Sequence, residues 1–277
     1  MSAHSTLELH FAHRSDRGYA RRINEDTSAA EDIRLFDGRS AVLAAIADGI
    51  GGARAGAEAS QIAVTTAFSY LRRQLRRVAP RDEAQWKELL AAALRAANAA
   101  VHARATTTNR ATMGTTLIVT VAIGRRAYIA HVGDCRAYAV RPAVRKPHIT
   151  QLTVEHTVVA ELVGQGALSY AEANGHPQRH QLARAVGAEL EVEPEVAART
   201  LRASERLVLC SDGVPLHLSD TDIARTVSDA PSPEEACDAL IALANARGGR
   251  DNLSAVVIAA APPNGAEPRA LQLTSEA

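Results

Sequence analysis

The sequence predicts an α+β sandwich folded as one domain, and three observations carry that expectation. Apolar runs rich in β-branched residues recur along the chain. Three of them follow one another between residues 116 and 141 with breaks too short for a helical crossover, which predicts antiparallel pairing by hairpins. Two long amphipathic patterns lie between the second and third runs, and no repeat or linker divides the 277 residues.

Taken in order, strands are expected at 7–12 (LELHFA), 41–47 (AVLAAIA), 116–123 (TLIVTVAI), 127–132 (AYIAHV), 136–141 (RAYAVR), 149–152, 206–210 (RLVLC) and 254–260 (SAVVIAA). The first helical pattern runs through Ile62, Phe68, Leu71, Leu75 and Val78, and the second through Trp86, Leu89, Leu90, Leu94 and Val101, with Pro80 as the breaker between them. Both are expected to pack on the sheet. Residues 153–187 hold only short helical pieces with many Gly and His, which reads as an insertion over one edge, a substrate-facing flap. A last amphipathic helix is expected around 233–246. Residues 1–6 and 262–277 are expected to be flexible tails flanking a domain of residues 7–261.

The chain carries 31 basic and 31 acidic side chains, so no global field favours nucleic acid or an anionic membrane as a partner. At 47% hydrophobic and 22% charged residues it can bury a sizeable core. The N-terminal residues have no signal-peptide pattern and no apolar stretch reaches the roughly 18 residues of a membrane span, so a soluble, cytoplasmic protein is expected, with a monomer favoured. Cys135, Cys210 and Cys237 are odd in number and flanked by apolar residues, the pattern of reduced, buried thiols.

Carboxylates recur beside glycine at the ends of the apolar runs: Asp48 with Gly49, Asp134 after Gly133, Asp212 with Gly213. Asp251 precedes the last run, and Glu25 and Asp26 stand early in the chain. Any one Asp-Gly pair is good turn chemistry; several at separate strand ends suggest a shared cleft that a ligand can approach over bare backbone. Converging carboxylates repel unless a cation joins them, and an all-oxygen set suits Mg²⁺ or Mn²⁺ rather than zinc. Two such ions roughly 3.5–4 Å apart would activate a shared water for displacement at phosphorus. Arg21, beside Glu25 and Asp26, is the best placed arginine for the phosphoryl oxygens.

Other signals carry less. Cys135 to Arg141 has the Cys-x5-Arg spacing of cysteine phosphatases but reads as a strand without the glycines of a phosphate loop. GIGGARAG misses the dinucleotide fingerprint and would set Asp48 against a pyrophosphate. His102 and His131 read as packing residues, His156, His176 and His180 as solvated loop histidines with substrate contact from the flap as the lesser alternative, and Leu71 to Arg77 as a solvated helix face.

The segments DRGYARRINED (Asp16 to Asp26), ADGIGG (Ala47 to Gly52), MGTTL (Met113 to Leu117), HVGDCRAY (His131 to Tyr138), SDG (Ser211 to Gly213) and GGRDN (Gly248 to Asn252) resemble the ordered motifs of the metal-dependent protein serine/threonine phosphatases, type 2C. The resemblance covers roughly residues 7–260. It implies a four-layer α-β-β-α sandwich with two central, mostly antiparallel sheets, and hydrolysis of phosphoserine and phosphothreonine at a dinuclear Mn²⁺ or Mg²⁺ centre. Carried over by position, Asp48, Asp212 and Asp251 match the ligands of the first metal. Asp48 and the carbonyl of Gly49 match those of the second, with Glu25 or Asp26 acting directly or through water. Asp134 with Asp212 matches a third, weaker ion, and Arg21 the phosphate-binding arginine. Phosphoproteins, among them a Ser/Thr kinase and its substrates, are the implied partners.

The chain departs from the family pattern at Ala53 and Ala57, where bacterial members usually carry His and Glu, at Glu155, His156 and Thr157 in place of Asp-His-Ser, and at Ile50, where eukaryotic members have a histidine. These changes leave the metal set intact but bear on leaving-group protonation, worth on the order of 10²-fold, and on substrate choice. The alternative reading is a regulatory scaffold that binds metal and phosphoproteins without turning them over.

Overall fold

The computed structural model describes residues 8–52, 54–110, 112–143, 146–202 and 204–261. Ala53, Leu7 and both expected tails lie outside the described residues.

The chain begins with β1 (Glu8–Asp16), β2 (Thr27–Arg34), β3 (Ser40–Ala47) and the two-residue β4 (Gly49–Ile50), then runs through α1 (Arg54–Leu75) and α2 (Glu83–Thr107). A second group of strands follows: β5 (Gly114–Thr115), β6 (Leu117–Ile123), β7 (Arg126–Val132), β8 (Arg136–Arg141) and β9 (His148–Gln151). Two short helices, α3 (Val158–Gly164) and α4 (Tyr170–Gly175), precede β10 (Glu195–Thr200) and β11 (Arg206–Cys210). The chain closes with α5 (Gly213–His217), α6 (Asp220–Asp229), α7 (Pro233–Ala246) and β12 (Leu253–Ala261).

Ten of the strands form two five-stranded antiparallel sheets, ordered β1-β12-β11-β8-β9 and β10-β7-β6-β3-β2, while β4 pairs with β5. Strand alternation builds the four layers. On β3, Val42, Ala44 and Ile46 face the second sheet and pack with Leu207, Leu209, Val256 and Ile258. Leu43, Ala45 and Ala47 face outward against Leu71, Leu90 and Leu94 of the α1/α2 pair. On the other outer face, α6 and α7 cover Tyr138, Val208 and Val257 through Ile223, Val227 and Leu240. Residues 41–47 are buried on both faces, so they read as a continuous apolar run rather than an alternating one.

The helix starts follow local chemistry. The Asp82 side chain accepts from the Gln85 N–H at 2.8 Å, and Ser232 caps α7 ahead of Pro233 and two glutamates in its first turn. The first expected helix ends earlier than its apolar pattern, at Leu75, leaving Val78 65% exposed.

One expectation is corrected. The turn between β7 and β8 is not a hairpin: β7 pairs with β6 and β10, whereas β8 belongs to the other sheet. Gly133, at φ +102°, makes that crossing possible, and a Cβ there would come within 2.6 Å of the Thr116 side chain. The crossing delivers Asp134 to the space between the sheet ends. All three cysteines are free and buried. No helix among the described residues is long and apolar enough to cross a membrane.

Candidate metal centre

Five chain segments meet at one end of the sandwich. Asp48 follows the last residue of β3, and its backbone is fixed on both sides: its N–H donates to Thr116 Oγ1 at 2.8 Å, and its carbonyl accepts from the Thr116 N–H at 2.8 Å and from Thr115 Oγ1 at 2.7 Å. Gly49 follows where no side chain fits, because a Cβ would lie 2.2 Å from the Gly56 carbonyl oxygen. The Gly49 N–H donates to the Glu25 carbonyl at 3.2 Å, which brings the β1–β2 loop alongside.

Asn252 organises that loop. Its Oδ1 accepts from the Glu25 N–H at 2.9 Å, and its Nδ2 donates to the carbonyls of Arg17 and Ile23 at 2.8 and 3.0 Å. Next to it, Asp251 accepts from Arg21 Nη2 at 2.7 Å and from the Asn252 N–H at 2.8 Å. Asp26 is buried and accepts from Ser211 Oγ at 2.7 Å. Asp212 stands at the N-cap of α5, yet its side chain makes no capping bond. It faces the cleft instead.

The charges are crowded. Burial first, then Asp26, Asp212 and Asp134, pushes the Asp48 carboxyl well above the ordinary range. Burial lifts Asp26 to about 7 with Asp212 and Asp251 adding to it, and lifts Asp134 to about 7 with Asp212 and Glu155 adding. Asp212 and Glu25 are raised by burial too, each with Asp251 as a further repelling charge. Glu25 Oε1, Asp26 Oδ1 and Asp212 Oδ1 are buried without a hydrogen-bond partner among the described residues. Buried acceptor-only oxygens without donors fit hard divalent cations, and the nearby Cys135 thiol is buried and raised far above its usual value. Asp48, Asp134, Asp212, Asp251, Glu25 and Asp26 are therefore brought together, with Gly49 and Arg21 beside them.

A cavity of about 770 Å³ extends from Asp134 and Asp212 beneath α3 and α4, with Arg179, His180, Val159 and Leu216 among its walls. Residues 153–187 thus border the carboxylate cluster. Glu155 pairs with Arg136 at its edge, and Thr157 caps α3 by accepting from the Ala160 N–H.

His156 corrects its expected place as a solvated loop residue. It is 1% exposed and stacks on His131 with ring centroids 4.6 Å apart. Its Nδ1 accepts from the Gly133 N–H at 3.2 Å, and the His156 backbone N–H donates to the Gly133 carbonyl at 3.0 Å. Burial, His131 and Arg184 hold it down at about 3, so the ring is neutral. With Glu195 these two histidines group three ligand-type atoms within 4.8 Å. Imidazole lone pairs lie in the ring plane, so two rings inclined by only 21° do not aim at one ion. His131 also meets the Val154 carbonyl at 2.8 Å. The pair is packing that ties residue 156 to the turn carrying Asp134. His180 is exposed on the cavity wall, and His176 is only partly buried.

Ile50 lies in β4 opposite Gly114, and Ala57 lies in α1. Asn252, Ser211 and Thr116, which fall within the motifs but carry no metal-ligand chemistry of their own, are the supporting residues that the sequence does not single out. An Asn following an Asp at a strand start was the available signal.

A four-layer sandwich with an oxygen-only carboxylate cluster at one end of its sheets defines a metal-binding protein class, and comparison with known proteins narrows it. The sequence profile described as protein phosphatase 2C matches residues 20–256. The chain is 38% identical over 259 residues to the serine/threonine protein phosphatase PstP of Mycobacterium tuberculosis, covering 92% of this chain but only 46% of that relative. It thus spans about half the length of that protein. It is 30% identical over 251 residues to the serine/threonine phosphatase stp of Listeria monocytogenes, covering 90% of this chain and 95% of the relative. The solved catalytic domain of PstP in complex with two manganese ions superposes with a TM-score of 0.75 at 36% identity, over 92% of this chain and all of that one. The chain belongs to the protein phosphatase 2C family.

Proposed function

We propose that this chain is a metal-dependent protein serine/threonine phosphatase, with residues 7–261 as its catalytic domain and residues 153–187 as a flap over the substrate. The observation that carries the reading is the set of buried carboxylate oxygens without donors beside Arg21. The two manganese ions of the PstP catalytic domain support it.

In this reading Asp48, Asp212 and Asp251 hold one divalent cation. Asp48 and the Gly49 carbonyl hold a second, with Glu25 or Asp26 acting directly or through water, and Asp134 with Asp212 holds a weaker third. When bound, the Mn²⁺ or Mg²⁺ pair supplies Lewis acidity that brings a water pKa toward neutrality and offsets the phosphate charge. The protein does the rest. Thr115, Thr116 and Ser211 fix the angles at which Asp48 and Asp26 enter the cleft. Arg21, whose side chain is 47% exposed, reaches the cluster through Asp251 and can turn its fork to the phosphoryl oxygens once that carboxylate is neutralised. The Asn252 hydrogen bonds hold the Arg21 loop within reach. The substrates are phosphoproteins, with a Ser/Thr kinase and its targets the leading class, and the setting is cytoplasmic.

The test is release of phosphate from p-nitrophenyl phosphate and phosphothreonine peptides. Turnover should require Mn²⁺ or Mg²⁺ and be abolished by chelator and by Asp212→Ala. A wild type no faster than Asp212→Ala in excess Mn²⁺ would replace this reading with the scaffold alternative.

A further inference from the structure

Two segments form a ledge at the rim of the carboxylate cluster: the β1–β2 loop, residues 17–26, and the turn from α7 into β12, residues 247–252. They are in backbone contact. The N–H groups of Tyr19 and Ala20 donate to the Gly249 carbonyl at 2.7 and 3.1 Å, and a Cβ on Gly18 would lie 2.2 Å from the Asp251 carbonyl oxygen. Asn252 adds the two bonds to the Arg17 and Ile23 carbonyls, so the ledge is built rather than draped.

Its charges are unevenly satisfied. Arg21 is engaged by Asp251. Arg17, Arg22 and Arg250 are exposed and make no ion pair among the described residues; the Arg17 guanidinium meets only the Arg22 carbonyl, at 3.5 Å. Glu25 and Asp26 of the same loop belong to the carboxylate cluster, and three further carboxylates have partners of their own. Asp16 accepts from the Gly18 N–H and from Asn245, Asp238 holds Arg14, and Asp222 holds Arg247 through two bonds. A chain with equal numbers of acids and bases thus presents an unpaired positive strip beside its acidic cleft. Tyr19, 72% exposed, stands within that strip.

We infer that this ledge is a subsite for acidic groups flanking the phosphoresidue, so that the preferred substrates are phosphopeptides carrying a carboxylate or a second phosphate close in sequence. The inference rests on the phosphatase reading and extends it to a substrate class. Arg22 adjoins Arg21 and Arg250 adjoins Asp251 in the chain, so the strip starts where the scissile phosphate sits. An extended peptide advances about 3.3–3.6 Å per residue, which places the contacted positions one to three residues from the phosphoresidue. Guanidinium forks bind carboxylate and phosphate in the same bidentate geometry, and the Tyr19 ring offers an apolar face to the stem of a glutamate.

The experiment uses the full chain loaded with Mn²⁺ and four substrates: p-nitrophenyl phosphate, a phosphothreonine peptide with neutral flanks, the same peptide with two flanking glutamates, and the same peptide with a second phosphothreonine. The expected result is a kcat/KM at least tenfold higher for either acidic peptide than for the neutral one. That gain should reside in KM and shrink with added salt. The Arg17→Ala/Arg22→Ala/Arg250→Ala variant should bring the acidic and neutral peptides to within about twofold, with p-nitrophenyl phosphate turnover and metal content unchanged. A gain confined to one acidic peptide supports the ledge and identifies its ligand as carboxylate or phosphate. Equal treatment of all peptides by the wild type, or a preference that survives in the triple variant, overturns the inference. Absence of p-nitrophenyl phosphate turnover in the wild type would instead strike the phosphatase reading beneath it.

Discussion

Asp26→Asn removes one charge from the carboxylate cluster while keeping its shape, and its effect on stability should change sign with metal. Asp26 is 8% exposed, with Oδ2 held by Ser211 and Oδ1 unpartnered. Burial above all raises its pKa from 3.8 to about 7, a difference worth about 4 kcal/mol between the protonation states. Because the folded pKa lies above the unfolded one, this contribution to stability is whole below about pH 4 and is lost as the pH rises through about 7. Without metal, the wild-type carboxylate costs the fold about 2–3 kcal/mol more at pH 8 than at pH 5. The neutral amide carries no such cost. Each kcal/mol moves the Tm of a domain this size by about 2–4 °C, so in chelator the gain of Asp26→Asn over wild type should grow by roughly 5–10 °C from pH 5 to pH 8. In excess Mn²⁺ the order should invert, because the wild type gains stability from ligand binding that the variant loses in part. Thermal melts followed by circular dichroism at pH 5, 6.5 and 8, with chelator and with Mn²⁺, decide it. A variant less stable than wild type in chelator at pH 8, or a difference that does not move with pH, would refute the reasoning.

Two further outcomes follow from the geometry. If Arg21 meets phosphate rather than metal, as proposed, Arg21→Ala should raise KM for p-nitrophenyl phosphate and phosphopeptides by tenfold or more while leaving bound Mn²⁺ at the wild-type level by elemental analysis. Gly213→Ala would set a Cβ 2.0 Å from the Asn252 carbonyl oxygen, so urea denaturation should show a loss of about 1–3 kcal/mol or more, with weakened Mn²⁺ binding as the Asn252 backbone shifts.

The clearest strand signals in the sequence come from strands buried on both faces, although the edge strands β1 and β9 are also expected from it. β3, β6, β11 and β12 are continuous apolar runs because helices cover one side and the second sheet the other. β2 and β10 gave no such signal, and they are the two edge strands of their sheet, half-exposed and carrying Glu31, Asp32 and Arg199 among their residues. α6 was missed because its core contribution rests on Ile223, Ala224 and Val227, although the Ser219/Asp222 capping box marks its start. Among the acidic residues of the cleft, Asp48, Asp134 and Asp212 were legible because an Asp beside Gly at a strand end has a local backbone cause. The supporting partners in the cleft were not, since Ser211 meets Asp26 across 185 positions and Asn252 meets Glu25 across 227. His156 failed for the same reason: its polar neighbours read as loop, and only the fold brings His131 against its ring.

The most direct test of the central claim is anomalous diffraction at the manganese edge from crystals of the chain grown with Mn²⁺. The account predicts two strong peaks within coordination distance of Asp48, Asp212 and Asp251, one of them also touching the Gly49 carbonyl, and the loss of at least one in Asp212→Ala. Peaks absent from that cleft, or found only at His131, His156 and Glu195, would contradict it.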